Sequence, residues 1–389
     1  MKVVILHNDL RVYWKGRIKY LRHFLAEHNI NLYAIELFGK GSPYAFDPYD
    51  SDNCLFPNNS YDELTKGEIK AKLYKKLDEI NPDIIIGGSI VFFSGALGIR
   101  WCRRHDKHFI MFDDGKPSAI KRNFLVKYTK DTITRQSDAL WLPSKDYDVE
   151  YEGVFDKSWI FHGYNTIDNK LFKINAEKEV NHNTIICVAR LVDIKNLDNL
   201  LRAWQLVEAK NDTYKLLLIG GGPEKDHLKQ LSSYLNLRRL EFAGIIANKD
   251  IPMYLFNSDA FVLASFAESW GLVVNEAMAA GLPILLSKKI NAATKLLEEG
   301  GNGFSFDPND SVDISHKILR FINLDEAAKK IMSDRSLQII NTMNYERMGI
   351  ELLTVLNKMA VQKPKKATFF GGLFMSLWRG RYNISSWNK

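Results

Sequence analysis

Short apolar runs, separated by about a dozen residues of helical periodicity, recur along most of the chain. Uninterrupted apolar runs are typical of parallel strands buried on both faces, and the intervening stretches favour amphipathic helices. Alternation of this kind predicts parallel sheets with helices on both sides. In the first half of the chain the predicted strands are 3–6, 31–37, 83–87, 108–112 and 139–143.

Helical periodicity predicts one helix from about Arg17 to Glu27 and another from Glu68 to Ile80. A loop at 8–15 is expected to lead to Gly16, just before the first of these helices. Residues 39–62 hold Gly, Pro, Asp, Asn and Tyr without periodicity, which predicts a long loop.

The pattern lapses into polar residues at 174–183, which predicts a linker, and then restarts. A chain of 389 residues favours two domains rather than one. We therefore expect an α/β chain with two Rossmann-like, doubly wound parallel-sheet domains facing across a cleft, one at 1–175 and one at 184–342. The predicted strands of the second domain are 184–189, 215–220, 239–244, 260–264, 283–287 and 303–306.

Composition adds limits to this picture. The hydrophobic fraction of 46% and the charged fraction of 25% are typical of a soluble globular protein, and three widely spaced cysteines favour a reduced, cytoplasmic chain. The net charge of +7 divides into +3 for residues 1–175, −2 for 176–359 and +6 for 360–389. Because most of the excess lies in a tail, the charge argues against a nucleic-acid partner.

The basic aromatic tail at 361–389 leaves two alternatives open. Between residues 363 and 381, Phe369, Phe370, Leu373 and other apolar residues recur on one helical face that is flanked by cations. This pattern is typical of an interfacial membrane anchor, and it is equally compatible with a tail that packs onto the first domain. The chain is accordingly expected to be cytoplasmic, either free or held peripherally on the inner face of the membrane.

The stretch from 260 to 281 carries the most informative chemistry. A buried strand is followed by a loop with Glu268, and then by a helix with Glu276 about one turn inside it. The free N–H groups between them, after Gly271, form an anion site. Amides that hold phosphates, beside carboxylates that accept hydrogen bonds from hydroxyls, predict a nucleotide-sugar ligand.

Three further loops fall at the same predicted sheet edge. Arg190 and Lys195 follow the strand at 184–189, where two cations could neutralise a departing diphosphate. Gly221 and Gly222 follow the strand at 215–220, but the run lacks the third glycine of the dinucleotide fingerprint, which disfavours a nicotinamide or flavin site. Ile245 follows the next strand and could flank a nucleotide base or simply pack.

Together these residues resemble the retaining glycosyltransferases of family 4, which have the GT-B fold. The resemblance rests on the segments just named and covers nearly all of 184–352. It implies that Arg190 and Lys195 contact the donor diphosphate, that Glu268 faces the transferred sugar and that Glu276 holds the ribose. It further implies that Trp270 contributes to donor binding and that the amides of Gly271, Leu272 and Val273 hold phosphate.

The first domain departs from that family's pattern. Relatives commonly carry a glycine pair where this chain has Lys15-Gly16, and many carry a histidine where it has Asp113-Asp114. We expect Gly16 to contact the donor, and Asp113 either to touch sugar or acceptor hydroxyls or to cap a helix. Residues 344–347 match the start of the family's C-terminal helix, which predicts a crossover helix at about 343–360 on the first domain.

The resemblance implies a metal-independent, retaining glycosyltransferase with Glu268, Arg190, Lys195 and Asp113 as its catalytic set. Its co-substrate is expected to be a UDP- or GDP-linked sugar, with no other cofactor. Asp50-Ser51-Asp52 and Asp146-Tyr147-Asp148 look like metal-binding Asp-x-Asp motifs of the other glycosyltransferase fold, but we interpret them as turn or surface residues.

The expected acceptor is a glycan or lipid-linked sugar in bacterial surface polysaccharide synthesis, as the basic tail and the Lys-rich helix at 68–80 suggest. Two other functions stay open. One is a sugar-nucleotide epimerase or phosphorylase on the same fold, and the other is a non-catalytic nucleotide-sugar-binding subunit.

Overall fold

The computed structural model describes residues 1–10, 13–41, 53–119, 121–173 and 182–378. The chain divides into two compact units. Unit 1 contains residues 1–166 and, from Tyr345, the described chain to Trp378, whereas unit 2 contains residues 167–344. Most of the linker predicted at 174–183 lies outside the described residues.

The described part of unit 1 contains a seven-stranded sheet. Its strands are β1 Lys2–His7, β2 Asn31–Phe38, β3 Cys54–Phe56, β4 Ile84–Gly88, β5 His108–Phe112, β6 Ala139–Leu142 and β7 Ile160–His162. They stand in the order β3-β2-β1-β4-β5-β6-β7, and every neighbouring pair is parallel. The strands β4, β5 and β6 are buried along their whole length, as expected from their largely apolar sequence.

The described part of unit 2 contains a six-stranded sheet of the same kind. Its strands are β8 Thr184–Val188, β9 Lys215–Ile219, β10 Leu240–Gly244, β11 Ala260–Leu263, β12 Ile284–Ser287 and β13 Gly303–Phe306. Their order is β10-β9-β8-β11-β12-β13, again with parallel neighbours. The order reverses direction between β8 and β11, which is where ligands bind on such sheets.

Helices connect the strands in both units. They are α1 Tyr13–Ala26, α2 Lys66–Ile80, α3 Phe93–His105, α4 Phe124–Thr134, α5 Leu197–Glu208, α6 Lys225–Tyr234, α7 Ile251–Phe256, α8 Leu272–Ala279, α9 Ala293–Leu296, α10 Ser311–Ile322, α11 Glu326–Asn341, α12 Tyr345–Ala360 and α13 Phe369–Leu377. The prediction of two doubly wound parallel α/β domains is confirmed.

Helix α1 begins earlier than its predicted start at Arg17. It begins at Tyr13, because Trp14 and Ile18 already belong to the apolar face that packs into the core. Gly16 therefore lies inside the helix rather than in the loop before it. A side chain at Gly16 would meet the hydroxyl of Tyr345, since a Cβ atom there would lie 2.5 Å from that oxygen.

Two short strands also differ from the prediction. Residues 54–56 form β3 inside the region predicted as a long loop, of which 42–52 lie outside the described residues. Residues 160–162 form β7, for which the sequence predicts no strand. Both strands have three residues, too few for a periodic pattern to show, and both stand at an edge of the sheet.

The tail packs onto unit 1 through one face of α13. The backbone N–H of Lys365 donates to Asp138 at 2.8 Å, and the indole of Trp378 donates to the carbonyl of Ile90 at 2.8 Å. Gly371 lies directly on the amide of Gln136, where an added Cβ would come within 2.3 Å. Of the two alternatives left open by the tail sequence, packing onto the first domain is observed for the described residues up to Trp378. Among the described residues, no helix is both long and apolar enough to cross a bilayer.

Candidate active site

The loops after β8, β9 and β11 meet at the carboxyl edge of the unit 2 sheet. Leu191 N–H donates to the carbonyl of Gly221 at 2.9 Å, which joins the first two loops. Phe266 N–H donates to the carbonyl of Ile194 at 2.9 Å, which joins the first and third. The buried Asn196 strengthens this junction, because its side chain donates to the carbonyl of Ala264 at 3.0 Å. The three loops thus form one rigid rim above the central strands.

Glycines in the loop after β9 are needed for this close packing. A Cβ at Gly220 would lie 1.8 Å from the carbonyl oxygen of Ala189, and one at Gly222 would lie 2.3 Å from that of Leu191. Both contacts are with backbone, which cannot give way. The glycine-rich run therefore has a structural reason of its own, and the donor contacts expected of Gly221 and Gly222 stay predictions.

Lys195 and Glu268 form an ion pair across the rim. Their side chains are 16% and 11% exposed, so the pair is largely withdrawn from water. Ser265 donates a second hydrogen bond to the same carboxylate oxygen of Glu268 at 2.8 Å. The carboxylate is thereby held in one orientation beside a fixed cation, and Ser265 is a contributor that the sequence did not single out.

Arg190 lies on the same loop and is half-exposed. Its guanidinium makes no hydrogen bond or ion pair with any residue in the described ranges. A guanidinium offers five donors in a rigid plane that suits phosphate oxygens. An unengaged arginine at the end of a central strand is therefore free to meet an anionic ligand.

The loop after β11 turns into α8 at Gly271, whose φ of +92° is strained for any residue with a side chain. The N–H groups of Gly271, Leu272 and Val273 find no acceptor among the described residues. Three such groups at the start of a helix attract an anion. These are the same amides that the resemblance assigns to phosphate.

The remaining donor-side predictions fall around this helix start. The Trp270 side chain is buried and donates to Asn275 at 2.9 Å, so only its backbone could face a ligand. Glu276 lies one turn into α8 and is half-buried. Ile245 is 71% exposed and covers Gly221, where an added Cβ would meet the Ile245 side chain at 2.6 Å. An exposed isoleucine at the rim offers an apolar surface to a flat ligand.

The corresponding edge of unit 1 is acidic. Asp113 follows β5 and accepts hydrogen bonds from Gly115 N–H at 2.9 Å and from the Tyr151 hydroxyl at 3.3 Å. Burial raises the pKa of Asp113. Burial and the neighbouring Asp113 carboxylate raise the pKa of Asp114 to about 6, with Arg17 opposing the shift. This edge holds two carboxyl groups that are easier to protonate than usual.

Arg17 is a buried cation that sequence reasoning missed. Its side chain is 2% exposed, its Nε donates to the carbonyl of Thr166 at 2.9 Å, and its guanidinium lies 5.1 Å from the ring centre of Trp14. One Nη atom of Arg17 has no hydrogen-bond partner among the described residues. Its place in the sequence could have indicated this burial, because Arg17 falls on the apolar face of α1 between Trp14 and Ile18.

Neither Asp-x-Asp motif forms a metal site among the residues that the structure describes. Asp50-Ser51-Asp52 lies outside the described residues. Asp146 is bonded to Ser144 and lies 3.5 Å from Lys116, and Asp148 accepts from His162 at 2.7 Å. Within the described ranges, no three His, Cys, Asp or Glu side chains are grouped so that they could hold a metal ion.

Comparison with known proteins gives a family for part of the chain and several relatives. Residues 168–335 match the family described as glycosyl transferases group 1. An uncharacterized glycosyltransferase of Haemophilus influenzae is 26% identical over 322 residues, which cover 80% of this chain and 81% of that protein. The N-acetyl-alpha-D-glucosaminyl L-malate synthase of Bacillus anthracis is 24% identical over 60% of this chain and 58% of its own length. The O-antigen chain mannosyltransferase B of Escherichia coli is 31% identical over 39% of this chain and 40% of its own length.

Solved structures share the fold over almost the whole chain. Sucrose-phosphate synthase from Thermosynechococcus elongatus has a TM-score of 0.73 at 16% identity and covers 92% of this chain and 99% of its own. HepE from Anabaena, in complex with UDP, has a TM-score of 0.70 at 17% identity and covers 92% of this chain and 100% of its own.

Fold and relatives together define a glycosyltransferase of the GT-B type. The match to the family glycosyl transferases group 1 is confined to residues 168–335, fewer than half of the 389 residues. The narrower assignment to the retaining family 4 stays a prediction, as do the roles of individual residues.

Proposed function

We propose that this glycosyltransferase moves a sugar from a UDP- or GDP-linked donor to a glycan or lipid-linked acceptor, with retention of the anomeric configuration and without a metal ion. The proposal rests on the groups that lie together on the rim of unit 2. The rim combines the Lys195–Glu268 ion pair with the Arg190 guanidinium and the N–H groups at the start of α8; among the described residues, neither the guanidinium nor these N–H groups have a partner.

Charge explains why a nucleotide sugar fits this rim. A diphosphate brings two negative charges that need fixed donors, and Arg190 with the α8 amides supplies them without any rearrangement of existing bonds. Lys195 can contact a phosphate and, through its ion pair, hold the Glu268 carboxylate beside the transferred sugar. Glu276, one turn into α8, would then hold the ribose hydroxyls.

The proposed reaction breaks the bond between the anomeric carbon and the donor phosphate and forms a bond to the acceptor oxygen on the same face of the sugar. The leaving phosphate oxygen accepts the acceptor's proton, so no separate nucleophile is needed. Arg190, Lys195 and the α8 amides lower the barrier by stabilising the negative charge that develops on the leaving diphosphate.

Unit 1 is proposed to supply the acceptor contacts. Asp113 is held by Gly115 and Tyr151, and an ionised carboxylate there would accept hydrogen bonds from sugar hydroxyls. The proposed role in surface polysaccharide synthesis has support from the E. coli relative, whose name assigns it to an O-antigen chain. A UDP donor has support from HepE, whose structure holds UDP. Contact with a membrane through residues 363–381, of which 363–378 are described, would suit a lipid-linked acceptor.

A thermal-shift panel of UDP- and GDP-linked sugars tests the donor side directly. A donor at about a hundred times its Kd stabilises the folded protein by about 2.7 kcal/mol, so the cognate donor is expected to raise the unfolding temperature by a few degrees. The Arg190→Ala variant should lose about half of that shift or more. Equal shifts in wild type and variant, or none with any nucleotide sugar, would contradict the proposal.

An assay without acceptor separates transfer from the other chemistries of this fold. Incubation with the cognate UDP- or GDP-sugar should release only a trace of nucleoside diphosphate until an acceptor glycan is added. An isomerised nucleotide sugar would instead identify an epimerase. Wild-type turnover no higher than that of a Glu268→Ala variant would identify a non-catalytic binding subunit.

A further inference from the structure

Two helices of unit 1 together present a continuous aromatic and aliphatic surface. Helix α4 exposes Phe124 and Leu125, at 76% and 72%, and α13 exposes Phe369 at 82%. Apolar residues exposed singly are ordinary, but a contiguous group on neighbouring helices indicates a surface that contacts something apolar. We call it the α4–α13 surface; its members are Phe124, Leu125, Tyr128, Phe369, Phe370, Leu373 and Leu377.

Ring contacts show that this surface is continuous from one helix to the other. Phe124 stacks on Tyr128 with ring centres 6.2 Å apart, and Tyr128 meets Phe374 of α13 edge to face at 6.1 Å. Phe374 in turn lies 6.2 Å from Phe370, which lies 5.5 Å from Phe369. One row of aromatic rings therefore crosses from α4 to α13.

The opposite face of α13 is what fixes the helix in place. Gly371 and Met375 are buried against unit 1, and Trp378 is anchored by its hydrogen bond to Ile90. With that face occupied, the exposed phenylalanines have no described part of the chain to cover them. The two alternatives drawn from the tail sequence are thus compatible, because packing uses one face of α13 and leaves the other in solvent.

Charge around the surface favours one kind of occupant. Residues 115–130 contain five Lys or Arg side chains and residues 361–378 contain three, and neither segment contains an Asp or Glu. Some of these cations are engaged, as Lys127 is with Asp131 at 2.6 Å. Lys121, Lys363 and Lys366 are exposed and make no ion pair with any described residue. Cations that rim an apolar surface complement a bilayer with anionic headgroups.

We propose that the α4–α13 surface docks this protein on an anionic lipid bilayer, with the row of aromatic rings at the level of the headgroups. A second copy of the chain fits less well, because a symmetric contact would bring the same cations against each other. The inference rests on the proposed function in one respect only, since a lipid-linked acceptor is what would make docking useful.

Flotation of the full chain with vesicles tests the surface without donor or acceptor, so its outcome is independent of the transferase assays. The vesicles contain equal parts of phosphatidylglycerol and phosphatidylcholine, or phosphatidylcholine alone. Wild type is expected to float with the anionic vesicles, to float poorly with the neutral ones and to detach as salt is raised. Absence of flotation, or equal flotation with both vesicles, would overturn the proposal.

Two paired variants separate a two-helix surface from a simple tail anchor. Phe124→Ser with Leu125→Ser, and Phe369→Ser with Phe370→Ser, should each lower vesicle affinity at least about tenfold. The control is Tyr234→Ser with Ile331→Ser, two similarly exposed side chains of unit 2, which should leave it unchanged. All three should keep the wild-type unfolding temperature. Loss in the α13 variant alone would overturn the role of α4, and loss in neither would overturn the surface.

Discussion

The carboxyl edges of the two sheets carry opposite chemistry, although both sheets are parallel and doubly wound. In unit 2 the edge offers Arg190, Lys195 and the N–H groups of α8, with Glu268 already neutralised by its lysine. In unit 1 the edge offers Asp113 and Asp114, whose pKa values are raised by burial. One edge presents donors and fixed positive charge, and the other presents acceptors.

Under the proposed function, the shared fold sets where ligands bind and the loops set which ligands they are. A diphosphate needs preorganised positive charge, which unit 2 supplies. A neutral polyol needs hydrogen-bond acceptors, which unit 1 supplies. If the comparison is right, substitutions at the two edges should affect different observables: donor affinity and turnover in unit 2, and acceptor use and pH dependence in unit 1.

The largest effect is expected at the ion pair. Lys195→Ala removes both the proposed phosphate contact and the group that holds Glu268, so kcat should fall by about 10²–10³. The free energy of unfolding should also fall, by about 1–3 kcal/mol, because the largely buried Glu268 carboxylate loses its partner. Steady-state kinetics at saturating donor, together with urea denaturation, measures both.

An exposed ion pair of the same unit provides the control for Lys195. Lys215 contacts Glu241 at 2.8 Å with both side chains about half exposed. Lys215→Ala should change kcat less than about twofold and stability less than about 1 kcal/mol. If Lys195→Ala behaved like Lys215→Ala, the rim of unit 2 would not be the catalytic edge.

Two arginines test the comparison from opposite sides. Arg190→Ala should weaken donor binding about tenfold to a hundredfold. It should not lower the free energy of unfolding, because the guanidinium has no partner among the described residues.

Arg17→Ala should leave donor binding unchanged and lower the free energy of unfolding by about 2 kcal/mol. It removes packing on Trp14 and the hydrogen bond to the carbonyl of Thr166. Calorimetry with UDP and thermal unfolding separate the two; the same pattern in both variants would contradict the assignment.

Asp114 gives unit 1 a pH dependence of its own. Its pKa is raised from 3.8 to about 6, so the folded state binds a proton more tightly than the unfolded chain. The stability from this group is therefore complete below pH 3.8 and is lost as the pH rises through about 6. Asparagine cannot ionise, so Asp114→Asn does not lose this stability as the pH rises. The free energy of unfolding of the variant at pH 7 should therefore exceed that of wild type by about 1–2 kcal/mol.

Denaturant unfolding at several pH values checks the sign for Asp114. The stability difference between Asp114→Asn and wild type should shrink as the pH is lowered from neutral towards the ordinary carboxyl pKa. Asp62→Asn, at an exposed position of the same unit, should change stability by less than about 0.5 kcal/mol throughout. A difference that widened on acidification would mean that Asp114 is stabilised as a carboxylate.

Long apolar runs were the parts of the fold that the sequence could predict. The strands at 84–88, 108–112 and 260–263 are buried on both faces, so their composition leaves little choice. The short edge strands at 54–56 and 160–162 have no such signal. Glycine is typical of loops, so the sequence predicts that α1 starts after Gly16. In the structure Gly16 lies inside α1, where α12 packs over it through Tyr345.

At the candidate site, the order of the strands predicts that the functional residues share one edge of the sheet, but it does not predict which of them contact each other. Lys195 and Glu268 follow the neighbouring strands β8 and β11, so a shared sheet edge could be expected. That they would form an ion pair depends on two loops 73 residues apart, which no local pattern encodes. The raised pKa of Asp114 likewise depends on burial by residues far away in the chain. Contacts of this kind depend on the tertiary fold and leave no local pattern in the sequence.

The smallest expected effect concerns the base of the donor. Ile245 is 71% exposed and rests on Gly221, so truncation should cost no measurable stability, yet a nucleotide base that packed there would lose apolar contact. Ile245→Ala should raise the donor Kd about threefold and leave kcat unchanged, since the side chain touches no reacting atom. Met253→Ala, at another exposed apolar position of unit 2, is the control. A Kd for Ile245→Ala equal to that of the control would place the base elsewhere on the rim.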